Sequence, residues 1–268
     1  METQVACLAT GVEVPLLVSG GMPAGFRHGF TTRKGGISMP PFDSLNLGWK
    51  WGDDSARVGE NHRRLLAASG ASAMLRVTQV HGVRILRVGR GDAPATVAVE
   101  QADGLCSDEP GLGLSVHVAD CTPILMACSR TGACAALHAG WRGTVAGMAR
   151  AGVEAMFSQF GCRPRELHVA LGPCIGPCCF EVGGEVEDAF IAAMPAARPS
   201  GVLVSAVGRK TRIDLRCFHR LELETAGVLR EHIDSNADCT LCDPDRRFYS
   251  FRGARRATGQ SVGFILRV

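Results

Sequence analysis

Lysine is scarce in this 268-residue chain, since Lys34, Lys50 and Lys210 leave arginine as 26 of the 29 basic residues. The arginines form no run that would indicate a nucleic-acid-binding surface, and the formal net charge is only +3. The chain also lacks an apolar run of about eighteen residues, which argues against a transmembrane helix. Residues 1–20 lack the basic segment of an export signal. We therefore expect a protein that binds neither nucleic acid nor membranes.

The twelve cysteines do not indicate a disulfide framework, because such frameworks occur mainly in short secreted chains. Reduced thiols and a cytoplasmic location are the prediction. With 46% hydrophobic and 21% charged residues, the composition is that of a globular protein able to bury a full core. No internal repeat or linker interrupts the chain, so we predict a single domain over residues 1–268.

Apolar and β-branched runs between glycine clusters predict strands and helices in alternation. The predicted strands are residues 75–80, 83–88, 113–118, 123–128, 133–138, 167–171 and 263–268. The predicted helices, with apolar residues at three- and four-residue spacing, are 55–69, 144–160, 184–193 and 215–231. This pattern indicates an α/β or α+β protein with a mixed sheet.

A hairpin in the middle of the chain brings two potential ligands together. Residues 129–132 form a turn between two apolar runs, so opposed residues should have numbers that sum to about 261–263. This register sets His138 opposite Ile124. Cys121 lies just before the same strand, so its thiol and the His138 imidazole should converge at one end of the hairpin.

His81 is the best candidate for a third member of this group, because it stands before Gly82 at a predicted strand end. A thiolate and two imidazoles suit catalytic zinc, with the fourth position left to water or substrate, and they also suit copper. Two alternatives stay open: a Cys121 nucleophile activated by His138, and three unrelated residues. For His117, which lies inside a strand, we expect a satisfied core histidine.

Residues 139–144 pass from a strand end through a glycine-rich turn into a helix. Free backbone N–H groups and Arg142 would make this turn suitable for an anion, although close packing alone also requires such turns. The turn is not a P-loop and does not match the dinucleotide fingerprint.

Several ordered motifs give the sequence a family resemblance that spans most of the chain. They are residues 28–38 (HGFTTRKGGIS), 42–48 (FDSLNLG), 79–82 (QVHG), 102–105 (ADGL), 119–123 (ADCTP), 138–143 (HAGWRG), 172–182 (GPCIGPCCFEV), 214–216 (DLR) and 248–252 (FYSFR). Together they resemble the YfiH family, also called the polyphenol oxidase or laccase-domain family, which includes the FAMIN-like purine nucleoside phosphorylases.

The resemblance implies a single layered α/β/β/α sandwich with mixed β-sheets. It also implies zinc, with copper as an alternative, held by His81, Cys121 and His138 as the metal-binding catalytic residues. The implied reaction is phosphorolysis of adenosine, inosine and methylthioadenosine, with adenosine deamination as a further activity. Purine nucleosides and phosphate would then be the small-molecule partners.

Five further residues in the matched segments are candidates for substrate binding. Arg33 and Arg142 are the phosphate candidates, with surface salt bridges as the alternative. Asn46 and Gln79 would hydrogen-bond the ribose or the base, unless they stabilise turns. Glu181 is a candidate acid or base, with an exposed structural carboxylate as the alternative.

Two cysteine groups remain outside this assignment. Cys239 and Cys242 have the spacing of a metal knuckle, but no second pair of that spacing completes a structural zinc site, so free thiols are expected. Cys174, Cys178 and Cys179 are expected to serve packing in a glycine-proline loop.

The function that the sequence favours is a zinc-dependent purine nucleoside phosphorylase. The alternatives are a peptidoglycan-precursor editing hydrolase, a copper-dependent polyphenol oxidase and a non-catalytic binding protein. A laccase-type multicopper centre would need more imidazoles than eight scattered histidines supply. We expect a monomer or a weak homodimer.

Overall fold

Two mixed β-sheets dominate the computed structural model, which describes residues 1–7, 11–195, 197, 200–204, 210–254 and 257–268. The strands are β1 (Glu2–Cys7), β2 (Glu13–Val18), β3 (Phe26–Thr31), β4 (Ala73–Leu75), β5 (Ile85–Arg87), β6 (Gly104–Ser107), β7 (Leu112–Val118), β8 (Thr122–Cys128), β9 (Ala133–Ala139), β10 (His168–Leu171), β11 (Leu203–Val204), β12 (Arg212–Ile213), β13 (Ile233–Ser235) and β14 (Ser261–Arg267). The first sheet has the order β1-β2-β3-β14-β7-β4 and the second the order β13-β10-β8-β9-β6-β5, while β11 and β12 pair with each other.

Seven α-helices lie in the part of the chain that the structure describes, and two of them begin at a capping aspartate. They are α1 (Ser55–Ser69), α2 (Pro94–Ala98), α3 (Trp141–Val145), α4 (Met148–Phe160), α5 (Gly184–Ala193), α6 (Leu215–Thr225) and α7 (Phe251–Ala254). Asp54 and Asp214 cap α1 and α6 by accepting hydrogen bonds from first-turn backbone N–H groups. None of the helices in the described part of the chain combines the length and the hydropathy of a membrane-spanning segment.

The two sheets pack face to face, and the main helices cover their outer faces. Buried side chains of β7 and β14 meet those of β6, β8 and β9 in the core between the sheets. Leu65 of α1 packs with side chains of β2 and β14 on one outer face. Met156 of α4 packs with side chains of β8 and β9 on the other. The result is the predicted α/β/β/α sandwich with mixed sheets.

The predicted strands and helices differ from the observed ones mainly in where they end. The strand predicted over 75–80 is wrong beyond Leu75, where β4 ends. The helix predicted over 144–160 is two helices, because Gly147 adopts a left-handed φ of 90° between α3 and α4. The helix predicted over 215–231 ends at Thr225, shortly before Gly227 with a φ of 94°. Strands β1 to β3, β6 and β11 to β13 were not predicted.

The β8–β9 hairpin forms as predicted, but its register places Pro123, not Ile124, opposite His138. The difference of one residue arises at the turn, where the Gly132 N–H donates to the Cys128 carbonyl. Because side chains alternate along a strand, Cys121 lies on the same side of the hairpin as Pro123 and His138. The observed register therefore favours the convergence of Cys121 with His138.

A cavity in the core between the sheets should lower the free energy of unfolding substantially. Leu125 of β8 is fully buried in this core, whereas Val99, after α2, is 73% exposed. Leu125→Ala should lower the free energy of unfolding by roughly 2–5 kcal/mol, because neighbouring side chains on both sheets cannot collapse fully into the space. Val99→Ala should change it by less than about 0.5 kcal/mol. Urea unfolding of both variants measures the difference, and equal midpoints would contradict this assignment of the core.

Candidate metal and substrate site

Three potential metal ligands from separate parts of the chain meet at one end of the second sheet. His81 lies in the loop before β5, Cys121 directly precedes β8, and His138 is near the end of β9. One ligand atom from each residue lies within 4.8 Å of those of the other two. The two imidazole rings stand edge to face, with 4.8 Å between their centroids. The structure thus brings together the three residues that the sequence singled out.

The buried carboxylate of Asp103 holds both histidines in place. Its Oδ1 atom accepts a hydrogen bond from the His81 backbone N–H at 2.9 Å. Its Oδ2 atom accepts from the Gly82 and Val80 N–H groups at 2.7 and 3.2 Å. Burial raises the pKa of Asp103, but its hydrogen bonds to His138 and to these N–H groups outweigh that effect and hold the pKa below its usual value.

His138 is oriented by the same carboxylate. Its Nδ1 atom lies 2.8 Å from Asp103 Oδ1, so an Nδ1–H tautomer leaves the Nε2 lone pair free for a metal. Burial lowers the pKa of His138, but Cys121 and Asp103 outweigh it and raise the pKa to about 9. A metal ion and a proton would therefore compete for this ring.

Backbone conformation creates the space between the ligands. His81 has a left-handed φ of 62°, which is uncommon for a residue other than glycine. At Gly140, a Cβ atom would lie 2.4 Å from His81 Nδ1 and 3.1 Å from Cys121 Sγ. The absence of a side chain at Gly140 therefore leaves open space beside these two donor atoms. A thiolate and two imidazoles around such a space fit a catalytic zinc site.

The three donors line a cavity of about 530 Å³ whose walls combine aromatic and cationic groups. This volume is in the range of small-molecule sites. The aromatic side chains are Trp49, Trp51, Trp141, Phe180 and Phe251, and the cationic ones are Lys50, Arg76, Arg142 and Arg252. Among the described residues, the lining contains one carboxylate, that of Asp120. The cavity is therefore suited to a ligand with a flat apolar part and a negative charge.

Two of the five predicted substrate-binding residues line this cavity. Arg142 lies at the start of α3, with its guanidinium group 4.3 Å from the centroid of the Trp141 ring. Gln79 also lines the cavity, but its amide is engaged with the backbone of His117, donating to the carbonyl and accepting from the N–H at 2.8 Å each.

The other three predicted residues do not line the cavity. Arg33 forms an ion pair with Asp43 at 2.9 Å. The Asn46 side chain is buried in hydrogen bonds with Gly48, Asp53 and Gln260, which is the turn-stabilising role named as its alternative. Glu181 pairs with Lys210 at 3.6 Å.

Sequence reasoning missed several side chains that organise or line the site. Asp103 lies in a matched motif, yet its role depends on backbone N–H groups that leave no spacing signal. Lys50, Arg76 and Arg252 belong to no charged run. His117 is buried as expected, but it also lines the cavity, and its Nε2 atom has no hydrogen-bond partner among the described residues.

Comparison with known proteins defines the family. A family model described as "Multi-copper polyphenol oxidoreductase laccase" matches residues 27–268. The chain therefore belongs to this laccase-like family, that of YfiH.

Similar proteins within this family carry a more specific name. The chain is 38% identical over 249 residues to "Purine nucleoside phosphorylase YlmD" of Geobacillus stearothermophilus, covering 90% of each chain. It is 39% identical to "Purine nucleoside phosphorylase YfiH" of Escherichia coli, covering 91% of this chain and 94% of that relative. The crystal structure of the Geobacillus YlmD matches with a TM-score of 0.86 and 35% identity, covering 95% and 96% of the two chains.

The Asp103 hydrogen bonds predict that this carboxylate sets the affinity for metal. In Asp103→Asn the amide nitrogen cannot accept hydrogen bonds, so at least one backbone N–H group or His138 loses its acceptor. Zinc affinity, measured by competition with a chelator, should fall roughly 10–100-fold.

Asp108→Asn is the matched control, because Asp108 is partly exposed just after β6 and pairs only loosely with Arg87 at 3.7 Å. It should bind zinc as the unchanged protein does. Unchanged zinc affinity in a folded Asp103→Asn variant would show that the carboxylate does not organise the ligands.

Proposed function

We propose that this chain is a zinc-dependent purine nucleoside phosphorylase. It would cleave adenosine, inosine and methylthioadenosine with phosphate to give the free base and ribose 1-phosphate. The observation that carries the proposal is the meeting of His81, Cys121 and His138 at the wall of a cavity with aromatic and cationic sides. The names of relatives at 38–39% identity support the same class of reaction.

Aromatic side chains support binding of a purine base. Trp49, Trp51 and Phe251 line the cavity and remain 38–49% exposed, so their rings are accessible to a ligand. The Trp51 and Phe251 rings lie 5.6 Å apart with a 40° tilt. A flat heteroaromatic base would stack against such rings and gain both apolar burial and favourable ring contacts.

Cationic side chains support binding of phosphate. Arg142 is placed where the N-terminus of α3 also offers backbone N–H groups, and Lys50, Arg76 and Arg252 extend the positive lining. In phosphorolysis a phosphate oxygen bonds to the ribose C1′ carbon as the bond from C1′ to the purine nitrogen breaks. The purine leaves with that electron pair and takes up a proton. Guanidinium groups would hold the attacking phosphate in position and reduce its charge repulsion.

The donor set fits zinc, and His81, Cys121 and His138 would hold it. Burial and the neighbouring His138 lower the pKa of His81, which favours the neutral imidazole that binds metal. A bound zinc would supply Lewis-acid chemistry toward the substrate. Asp103 would keep the His138 ring in the tautomer that presents Nε2 to the metal. Copper is the alternative metal for the same donors.

Adenosine deamination is proposed as a further activity of this site, since a catalytic zinc site also suits attack of water on the purine ring. The two remaining enzyme candidates have weaker support. An editing hydrolase would use the same donors with water in place of free phosphate, so a requirement for phosphate separates it from the phosphorylase. A multicopper oxidase would need several imidazole clusters, whereas the described residues contain one group of potential ligands with histidine, that of His81, Cys121 and His138.

The central prediction is a requirement for phosphate. With zinc bound, the protein should cleave inosine only when phosphate is present, and ribose 1-phosphate should appear in equal amount to hypoxanthine. Cys121→Ala should lower this rate by roughly 100-fold or more, because a metal ligand is lost. Base release and ribose 1-phosphate are measured by chromatography, with adenosine and methylthioadenosine run in parallel.

Cys217→Ala is the control, since Cys217 is a half-buried free thiol on α6 outside the cavity. It should retain the rate of the unchanged protein. Equal cleavage of inosine without phosphate, giving free ribose, would favour the hydrolase instead. No turnover of any nucleoside would reject the proposed function.

A further inference from the structure

A second group of potential metal ligands lies outside the cavity. It consists of four cysteines, Cys178, Cys179, Cys239 and Cys242, whose sulfur atoms all lie within 4.8 Å of one another. The sulfur atoms of Cys178 and Cys242 lie 3.4 Å apart. The two pairs lie about sixty positions apart in the sequence, and the fold brings them together. The adjacent residues Cys178 and Cys179 therefore supply the second cysteine pair that Cys239 and Cys242 lack in the sequence.

Backbone hydrogen bonds build this group from two turns. The chain near Cys174 runs beside the chain near Cys239 as a parallel bridge. The Thr240 N–H donates to the Cys174 carbonyl at 3.1 Å. The Gly176 N–H donates to the sulfur of Cys239 at 3.2 Å. A backbone N–H aimed at sulfur stabilises a thiolate, which is the form of cysteine that binds metal.

The distances and donor types agree with tetrahedral zinc. A Zn–S bond of about 2.3 Å places sulfur atoms of a tetrahedral site about 3.8 Å apart. The sulfur atoms of Cys178 and Cys242 are 3.4 Å apart, and no two sulfur atoms of the group are more than 4.8 Å apart. These distances lie on either side of about 3.8 Å, so small side-chain rotations would bring the four sulfur atoms to tetrahedral positions around zinc. Four thiolates fill every position of the ion, and such closed sites are structural. A disulfide would instead require sulfur atoms about 2.05 Å apart and would use only two of the four.

We propose that Cys178, Cys179, Cys239 and Cys242 bind a structural zinc ion, separate from the metal at His81, Cys121 and His138. This inference goes beyond the proposed function, and only the expected total of two zinc ions per chain rests on that function. It replaces the expectation that these cysteines are free packing thiols.

The position of the four-cysteine site gives it a role in shaping the cavity. The same two turns hold Asp120, the residue next to Cys121. The Ile175 N–H donates to the Asp120 carbonyl at 3.0 Å, and the Thr240 hydroxyl donates to Asp120 Oδ1 at 2.6 Å. Asp120 has a left-handed φ of 90°, a conformation that its surroundings must hold. Zinc would therefore cross-link the turn that contains Ile175 to the turn that contains Thr240. Both turns hydrogen-bond Asp120 and so hold the backbone before Cys121.

Metal content of purified protein tests the proposal. The unchanged chain, prepared with reductant and excess zinc and then desalted, should carry two zinc ions per chain by elemental analysis. The double variant Cys239→Ser/Cys242→Ser should lose one of them and keep the other. Cys217→Ser is the matched control, because it removes a thiol outside both groups, and it should keep two.

The variant Cys121→Ala separates this inference from the proposed function. It should lose the zinc of the cavity and retain that of the four cysteines. Loss of one zinc in the double variant with none lost in Cys121→Ala would uphold the four-cysteine site and remove the basis of the proposed function. Equal zinc content in the unchanged chain and the double variant would overturn the four-cysteine site.

Cobalt substitution tests the unchanged four-cysteine group even if the double variant fails to fold. In Cys121→Ala loaded with Co²⁺, the four thiolates should give an intense sulfur-to-cobalt charge-transfer absorption and tetrahedral d–d bands. The four thiols should also resist alkylation until a chelator removes the metal. Absence of this spectrum, or a mass two hydrogens lower that reveals a disulfide in the reduced preparation, would overturn the proposal.

Discussion

The candidate catalytic site depends on the hydrogen bonds of one buried carboxylate, that of Asp103. Its two oxygen atoms accept hydrogen bonds from three successive backbone N–H groups around His81 and contact Nδ1 of His138. A fully buried charge is costly unless its hydrogen bonds are satisfied, so this arrangement tolerates little rearrangement. One side chain, directly before β6, therefore fixes a loop and an imidazole that lie far apart in sequence.

The sandwich provides the rigid frame for this arrangement. The neighbouring strands β6, β8 and β9 deliver Asp103, Cys121 and His138 to the same end of the second sheet, while the core between the sheets holds those strands in register. Beyond the strand ends, glycine-rich turns bring backbone close to the candidate ligands, as Gly140 does beside His81. The cavity walls come from more distant segments, so cationic and aromatic groups surround His81, Cys121 and His138 without belonging to the sheet.

The fold and the meeting of His81, Cys121 and His138 were predictable because their signals are local or lie in the matched motifs. Long apolar runs defined β7, β8 and β9, and the turn between β8 and β9 gave the hairpin to within one residue. Other features depend on contacts that no spacing reveals. Arg33 and Asn46 lie in matched motifs, yet their side chains stabilise loops rather than line the cavity. Asp103 acts through hydrogen bonds from backbone N–H groups. Cys178 and Cys179 come close to Cys239 and Cys242 only because the fold brings two distant turns together.

The most direct test of the account is a crystal structure of the zinc-loaded protein with anomalous data on both sides of the zinc absorption edge. We expect an anomalous peak bonded to the sulfur of Cys121, to Nε2 of His138 and to the ring of His81, with Asp103 on the opposite nitrogen of His138. A zinc-loaded crystal without a peak among these three residues, or with His138 turned away from both the peak and Asp103, would contradict it.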